Sequence, residues 1–179
     1  LDHNIPSPWC PLMGEIKHHT RFDFAQLTER QKYKLLIGTV IPRPIALVTT
    51  MSRDGQPNAG PFSFFNVLTH EPAIVAIGVE NYADMRFKDT ARNIRETGEF
   101  TVHICDDAMV EQMEICAIKF GPDVDELEQA GLTTVPGEAV RSPRILEAPA
   151  ALECRRTMTL ELGPAREIIL GEVVGLYVR

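Results

Sequence analysis

Apolar positions in this chain fall into short runs whose period changes along the sequence. "IALVTT", Ile45 to Thr50, is apolar on both faces at its start and hydroxylated at its end, the pattern of a central strand whose tip reaches a polar site. Pro42 and Pro44 force an extended entry into it. "SRDGQPN" reads as a turn with Asp54-Gly55 as a hairpin signal, and "AGPFSFFNV" as the returning partner strand. "AIVAIGV", Ala73 to Val79, is a further buried strand. The period then becomes helical: Phe87, Ala91 and Ile94 share a face, Asp89 or Thr90 is available as N-cap, and Gly98 as the stop. "FTVHIC" returns to strand, with Phe100, Val102 and Ile104 inward and His103 outward.

Residues 107 to 130 read as mostly helical. From 151 the alternation places Leu152, Cys154, Met158, Leu160 and Leu162 on one face and Glu153, Arg155, Thr157, Thr159 and Glu161 on the other, with Arg156 breaking the apolar side. "EIILGEVVGLYV" adds a last strand with Gly171 and Gly175 as bulge or bend positions. A short helix is expected around Leu27 to Leu36. Ahead of it, residues 1 to 22 hold three prolines, three histidines and the only tryptophan, Trp9, which reads as an irregular arm. The expected organisation is an arm over residues 1–30 and one domain over 31–179. Its fold class is mainly β, a small barrel of about six strands with a few short helices.

Composition narrows the function. At 179 residues, 44% hydrophobic and 24% charged, the chain supports one globular core. A net charge of -7 argues against nucleic acid, which needs clustered Lys and Arg. No apolar stretch is long enough for a membrane span and no signal-peptide core stands at the start, so a cytoplasmic protein is expected. The sequence begins without Met and stops directly after an apolar run, as a piece of a longer chain would. The four cysteines are scattered without a Cys-x-x-Cys pair, and His18 and His19 lack nearby partners, so neither a disulfide framework nor a metal site is expected. His70 reads as a loop residue.

The candidate chemistry lies at two places. Lys88, Asp89 and Thr90 stand at a helix start, where unpaired amides and the positive end of the dipole attract anions. Simple capping by Asp89 or Thr90, with Lys88 in solvent, accounts for the same residues. Thr49, Thr50, Ser63 and Asn66 sit at strand ends beside Phe62, Phe64 and Phe65, which offers hydroxyls for a phosphate and ribityl chain next to flat surfaces for an aromatic ring. Core packing is the plain alternative for the phenylalanines. Gly-x-Ser-x-Gly, Gly-x-Gly-x-x-Gly and Walker motifs are absent.

Five blocks in order, "VIPRPIALVTT", "GQPNAGPFSFFNV", "KDTARNIRETGEF", "VDELEQAGLT" and "SPRILEAPAALEC", resemble the flavin reductase-like proteins with an FMN-binding split barrel, over about residues 32 to 178. The resemblance implies a homodimeric split β-barrel with FMN near the dimer interface. The matching flavin contacts would be Thr49, Thr50, Ser63, Phe64, Phe65, Asn66, Lys88, Asp89 and Thr90. It implies an FMN-dependent oxidoreductase, with NAD(P)H as the electron donor and no catalytic side chain, since hydride transfer is the cofactor's chemistry. The alternatives are a flavoredoxin-type electron carrier with tightly bound FMN and a protein partner, or a flavin-free binding module. Two departures bear on the choice: Leu47 stands where many relatives have an aromatic residue, and the last hairpin has Arg166 and Gly175 near where reductases of the family often carry a histidine. Trp9 is a candidate to close over the flavin of a neighbouring subunit, with a hydrophobic anchor or a disordered end as the plain alternative.

Overall fold

The computed structural model describes residues 20–82, 84, 86–121, 124–163 and 165–179. Trp9, Cys10, His18 and His19 lie outside them. The chain divides into two compact units, 1–41 and 42–179. In the first, α1 (Glu29–Thr39) starts with a capping box: the Thr28 hydroxyl accepts from the Gln31 amide, and the Gln31 side chain accepts from the Thr28 amide.

In the second unit, β1 (Ala46–Met51) and β2 (Pro57–Phe62) form the expected hairpin, closed by Gly55 in the left-handed conformation (φ 85°). The return strand, however, stops at Phe62. After Ser63 and Phe64 the chain begins a separate strand, β3 (Phe65–His70), which pairs with β4 (Ala73–Glu80) and contains His70. With α2 (Asp89–Thr97), β5 (Glu99–Ile104), β8 (Ala150–Glu161) and β9 (Arg166–Val178), the main sheet runs β2-β1-β5-β8-β9-β4-β3.

Its two edge strands, β2 and β3, are therefore joined by two residues. The edges of a flat seven-stranded sheet lie roughly 29 Å apart, whereas the step from Phe62 to Phe65 covers about 11 Å at most. The sheet must roll up, and this forces the barrel. Inside it Val48, Phe65, Ile77, Phe100, Val102, Cys154 and Ile169 pack together, and α2 contributes Ala91 and Ile94. Gly171 gives Phe100 its space: a Cβ there would come within 2.7 Å of the ring Cε1. The bulge residue nearby is Val174, left over between the Glu153–Gly175 and Cys154–Val173 pairs.

The segment between β5 and β8 is less helical than its sequence suggests. It holds α3 (Val110–Cys116), α4 (Glu126–Gln129) and the two-residue strands β6 (Thr134–Val135) and β7 (Arg144–Ile145). Met109, Cys116, Leu127, Ala130, Leu132, Ile145 and Ala148 pack with Leu47 and Ala59 in a second core on the outside of β1 and β2. Polar residues that alternation points outward are buried beneath this cover. Glu153 is fully buried and accepts from the amides of Glu138 (2.8 Å) and Ala139 (2.7 Å). His103 is also fully buried: Nδ1 donates to the Leu47 carbonyl and Nε2 accepts from the Ile145 amide, both at 3.0 Å. Burial, with Arg144 nearby, lowers its pKa to about 4.

One further departure concerns β8. An unpaired residue, Thr157, sits between the Arg156–Gly171 and Met158–Leu170 pairs. This bulge inverts the alternation. Thr159, opposite the core residue Ile169, faces inward, while Met158, Leu160 and Leu162 are turned out and exposed.

Candidate functional site

The start of α2 is held in place by the barrel and is not capped by any side chain. Lys88 occupies the N-cap position, so neither Asp89 nor Thr90 caps the helix. The Asp89 carboxylate pairs with Arg92 instead, and Thr90 turns inward and is buried. The Lys88 amide donates to Asn81 Oδ1 at 3.1 Å, just past the end of β4. Asn81 Nδ2 in turn donates to the buried Glu167 of β9 (3.1 Å), whose other oxygen pairs with Arg95 of α2. The Arg95 guanidinium also stacks 4.3 Å from the centre of the Phe87 ring. The helix thus presents its first-turn amides, the positive end of its dipole and a half-buried Lys88 on a rigid mount.

Behind that start lies a buried polar cluster. Asn58 Nδ2 donates to the Thr90 hydroxyl at 3.0 Å and to the Thr50 hydroxyl at 3.4 Å. Asn93, one turn along α2, donates to Thr50 as well, at 3.0 Å. The hairpin tip and the Lys88–Thr90 turn therefore meet directly. Asn58 stands opposite Thr50 in the hairpin register, and two residues on Gly60 passes beside Thr90: a Cβ there would make an ordinary contact, 3.5 Å from the Thr90 oxygen.

The other candidate residues distribute over two faces. Thr49 points away from this cluster into the second core, where its hydroxyl donates to the Pro143 carbonyl at 2.6 Å. Phe65 is in the barrel core. Ser63 is half-buried, and Phe64 is 49% exposed. Phe64 crosses over Gly78 of β4, whose amide donates to the Phe64 carbonyl at 2.7 Å and whose missing Cβ leaves 3.0 Å to Phe64 Cβ. Asn66 is exposed and stands opposite Ala76 on the same outward face, its Oδ1 accepting from the Val67 amide. From Gly78, where Phe64 crosses, to Asn81, which holds Lys88, is three residues, about 10 Å of extended chain. The Phe64–Asn66 segment and the helix start are thus joined along one strand.

Asn58, Asn81, Asn93 and Glu167 were not candidates from sequence. For Asn58 the signal was present: a hairpin turning at Asp54-Gly55 brings it opposite Thr50. Of the two departures in the sequence, Leu47 lies wholly in the second core. A side chain at 175 would start 3.3 Å from a buried Glu153 oxygen, and Arg166 pairs with Glu80 at 3.0 Å.

Residues 37–179 match the model of the flavin reductase like domain. An uncharacterized protein of Halalkalibacterium halodurans is 46% identical over 153 residues, 83% of this chain and 73% of that protein. Nitrilotriacetate monooxygenase component B from Bacillus cereus superimposes with a TM-score of 0.86 at 35% identity, covering 90% of this chain and 82% of that one. Flavoredoxin of Desulfovibrio vulgaris does so with a TM-score of 0.69 at 30% identity, covering 78% and 72%. A seven-stranded sheet rolled shut by a two-residue link, an uncapped helix start fastened to its rim and a family match over most of the sequence converge: the chain belongs to the flavin reductase-like family, split-barrel proteins of flavin-linked oxidoreduction.

Proposed function

We propose that the chain holds FMN and works as a flavin-dependent oxidoreductase with NAD(P)H as electron donor. The observation that carries the reading is the Asn58 amide, which ties Thr90 at the uncapped start of α2 to Thr50 at the hairpin tip. A phosphomonoester, with a charge of about -1.5 to -2 at neutral pH, suits that place. The Lys88 ammonium, the first-turn amides and the Thr90 hydroxyl are its donors, and Asp89 is neutralised by Arg92. The flavin ring would be held against Phe64 and the backbone of 64–66, which stand about 10 Å of extended chain from the residue that fixes Lys88. Flavin, when bound, supplies the hydride and electron transfer. The protein's part is to fix the phosphate, orient the ring and cover it from water.

The same outer face supports a homodimer. Met158, Leu160 and Leu162 are exposed in a row, and beside them on that face stand Ile168 and Leu170 of β9 and Ala76 of β4, reaching to Asn66 and Phe64. A second copy on this patch would bury the apolar row and complete the ring site.

A second reading has its own observation. Neither position 166 nor 175 carries a histidine, and a Cβ at 175 would already stand 3.3 Å from a Glu153 oxygen, which favours an electron carrier with a protein partner over direct nicotinamide oxidation. One anaerobic absorbance experiment separates the readings. The purified, FMN-loaded protein is yellow and bleaches on addition of NADH or NADPH if the first holds. A yellow protein bleached by dithionite but by neither nicotinamide supports the second. Protein that stays colourless after added FMN and desalting overturns both and leaves a flavin-free module.

A further inference from the structure

We propose that Asn58 is a positioning residue that fixes the Thr90 hydroxyl as a hydrogen-bond donor toward the phosphate of the bound flavin; this rests on the FMN reading above. Both Asn58 and Thr90 are at least nine-tenths buried, so no bulk water sets the hydroxyl's direction. The Thr90 oxygen accepts from Asn58 Nδ2 at 3.0 Å. An oxygen whose lone pair faces an N–H must turn its own hydrogen elsewhere, and among the described residues no acceptor takes it. Asn58 uses its second amide hydrogen on Thr50, which also receives Asn93 Nδ2. The cluster therefore contains three N–H donations onto two hydroxyls and two hydroxyl hydrogens without a protein acceptor.

Asn93 Oδ1, on the amide that already donates to Thr50, is buried and takes neither hydrogen. Thr90 donates to no acceptor among the described residues, and it stands in the first turn of an uncapped helix. A phosphate oxygen at that helix start satisfies the Thr90 donor. A carboxylate in place of Asn58 would draw the hydrogen inward and present a lone pair to the phosphate. An amide presents the hydrogen. The choice of Asn at this position thus selects an anion over a neutral group at the helix start.

The test compares FMN with riboflavin, which lacks only the phosphate. Both are titrated by fluorescence quenching into the full chain and into Asn58→Leu, Thr90→Val and the double variant. Each single substitution is expected to raise the FMN dissociation constant about tenfold, the scale of one hydrogen bond to a charged group. The double variant adds nothing further, and riboflavin affinity is unchanged throughout. Asn58→Ala, which leaves room for a water, carries the same expectation if the leucine variant does not fold. Equal losses for FMN and riboflavin, as a general loosening of the fold would give, overturn the proposal. So does a double variant whose effects add. A wild-type chain that binds neither flavin overturns the FMN reading and this inference with it, whereas tight FMN binding indifferent to Asn58 overturns the inference alone.

Discussion

His103 uses both ring nitrogens in one tautomer, Nδ1 as donor to Leu47 and Nε2 as acceptor from Ile145, and a second proton would break the bond to β7. Its folded pKa of about 4 lies below the ordinary 6.5. Between those values the unfolded chain takes up a proton that the folded chain refuses, so stability falls as the pH drops from 6.5 toward 4 and is unaffected by this group above 6.5. The loss amounts to about 3 kcal/mol for one such imidazole. Urea midpoints between pH 7 and 4.5 should show it as a steep decline that flattens in His103→Gln; equal slopes in the two proteins would refute the assignment. His103, Glu153 and Thr49 also mark what a sequence withholds. His103 and Glu153 are polar at outward positions of their strands, the pattern of a solvated face, Thr49 reads as a strand tip reaching a polar site, and all three are covered by the 107–148 segment. Alternation reports which side of a strand a residue takes. It does not report what a later segment lays over that side.

Among the elements, the β1–β2 hairpin, β4 and the helix ending at Gly98 (φ 74°) were legible because turn chemistry and period are local. The end of "AGPFSFFNV" and the phase of β8 were not. Whether Phe65 continues β2 or starts a new edge depends on β4, and the Thr157 bulge exists only relative to β9. At the site, the meeting of Thr50 with Thr90 followed from the resemblance, while the asparagines linking them carried no such mark. β9 itself offers a measurable contrast. Gly171→Ala would drive a methyl group into Phe100 and should cost about 1–3 kcal/mol, the usual range for overpacking. Gly175→Ala meets only a carboxylate oxygen at 3.3 Å and should cost less. Thermal melts of the two variants rank the sites; a larger loss at 175 would contradict this packing. Just past β4, Asn81→Ala frees the Lys88 amide at the start of α2 and leaves Glu167 with Arg95 alone, so affinity for the proposed FMN should fall several-fold by equilibrium dialysis while the fold persists.

At the scale of the whole molecule, Met158, Leu160 and Leu162 are placed outward by a single unpaired residue. Leu160→Glu should raise the dissociation constant of the proposed homodimer more than about a hundredfold, since an uncompensated buried charge costs on the order of 3 kcal/mol. Light scattering after gel filtration reads the change, and FMN affinity should fall with it; a variant that stays dimeric would remove this face from the proposal. No helix among the described residues is long and apolar enough to cross a membrane. The rolled sheet also governs how the protein is made. The β1–β2, β3–β4 and β8–β9 hairpins can each form from neighbouring residues, yet Ala46 must find Ile104, and Ile74 must find Glu172, before the barrel exists. With so many distant pairings, refolding should take about milliseconds to seconds. The edge strands stay unguarded for that interval, so a crowded nascent chain is most prone to clump before Ser63 and Phe64 draw the two rims together.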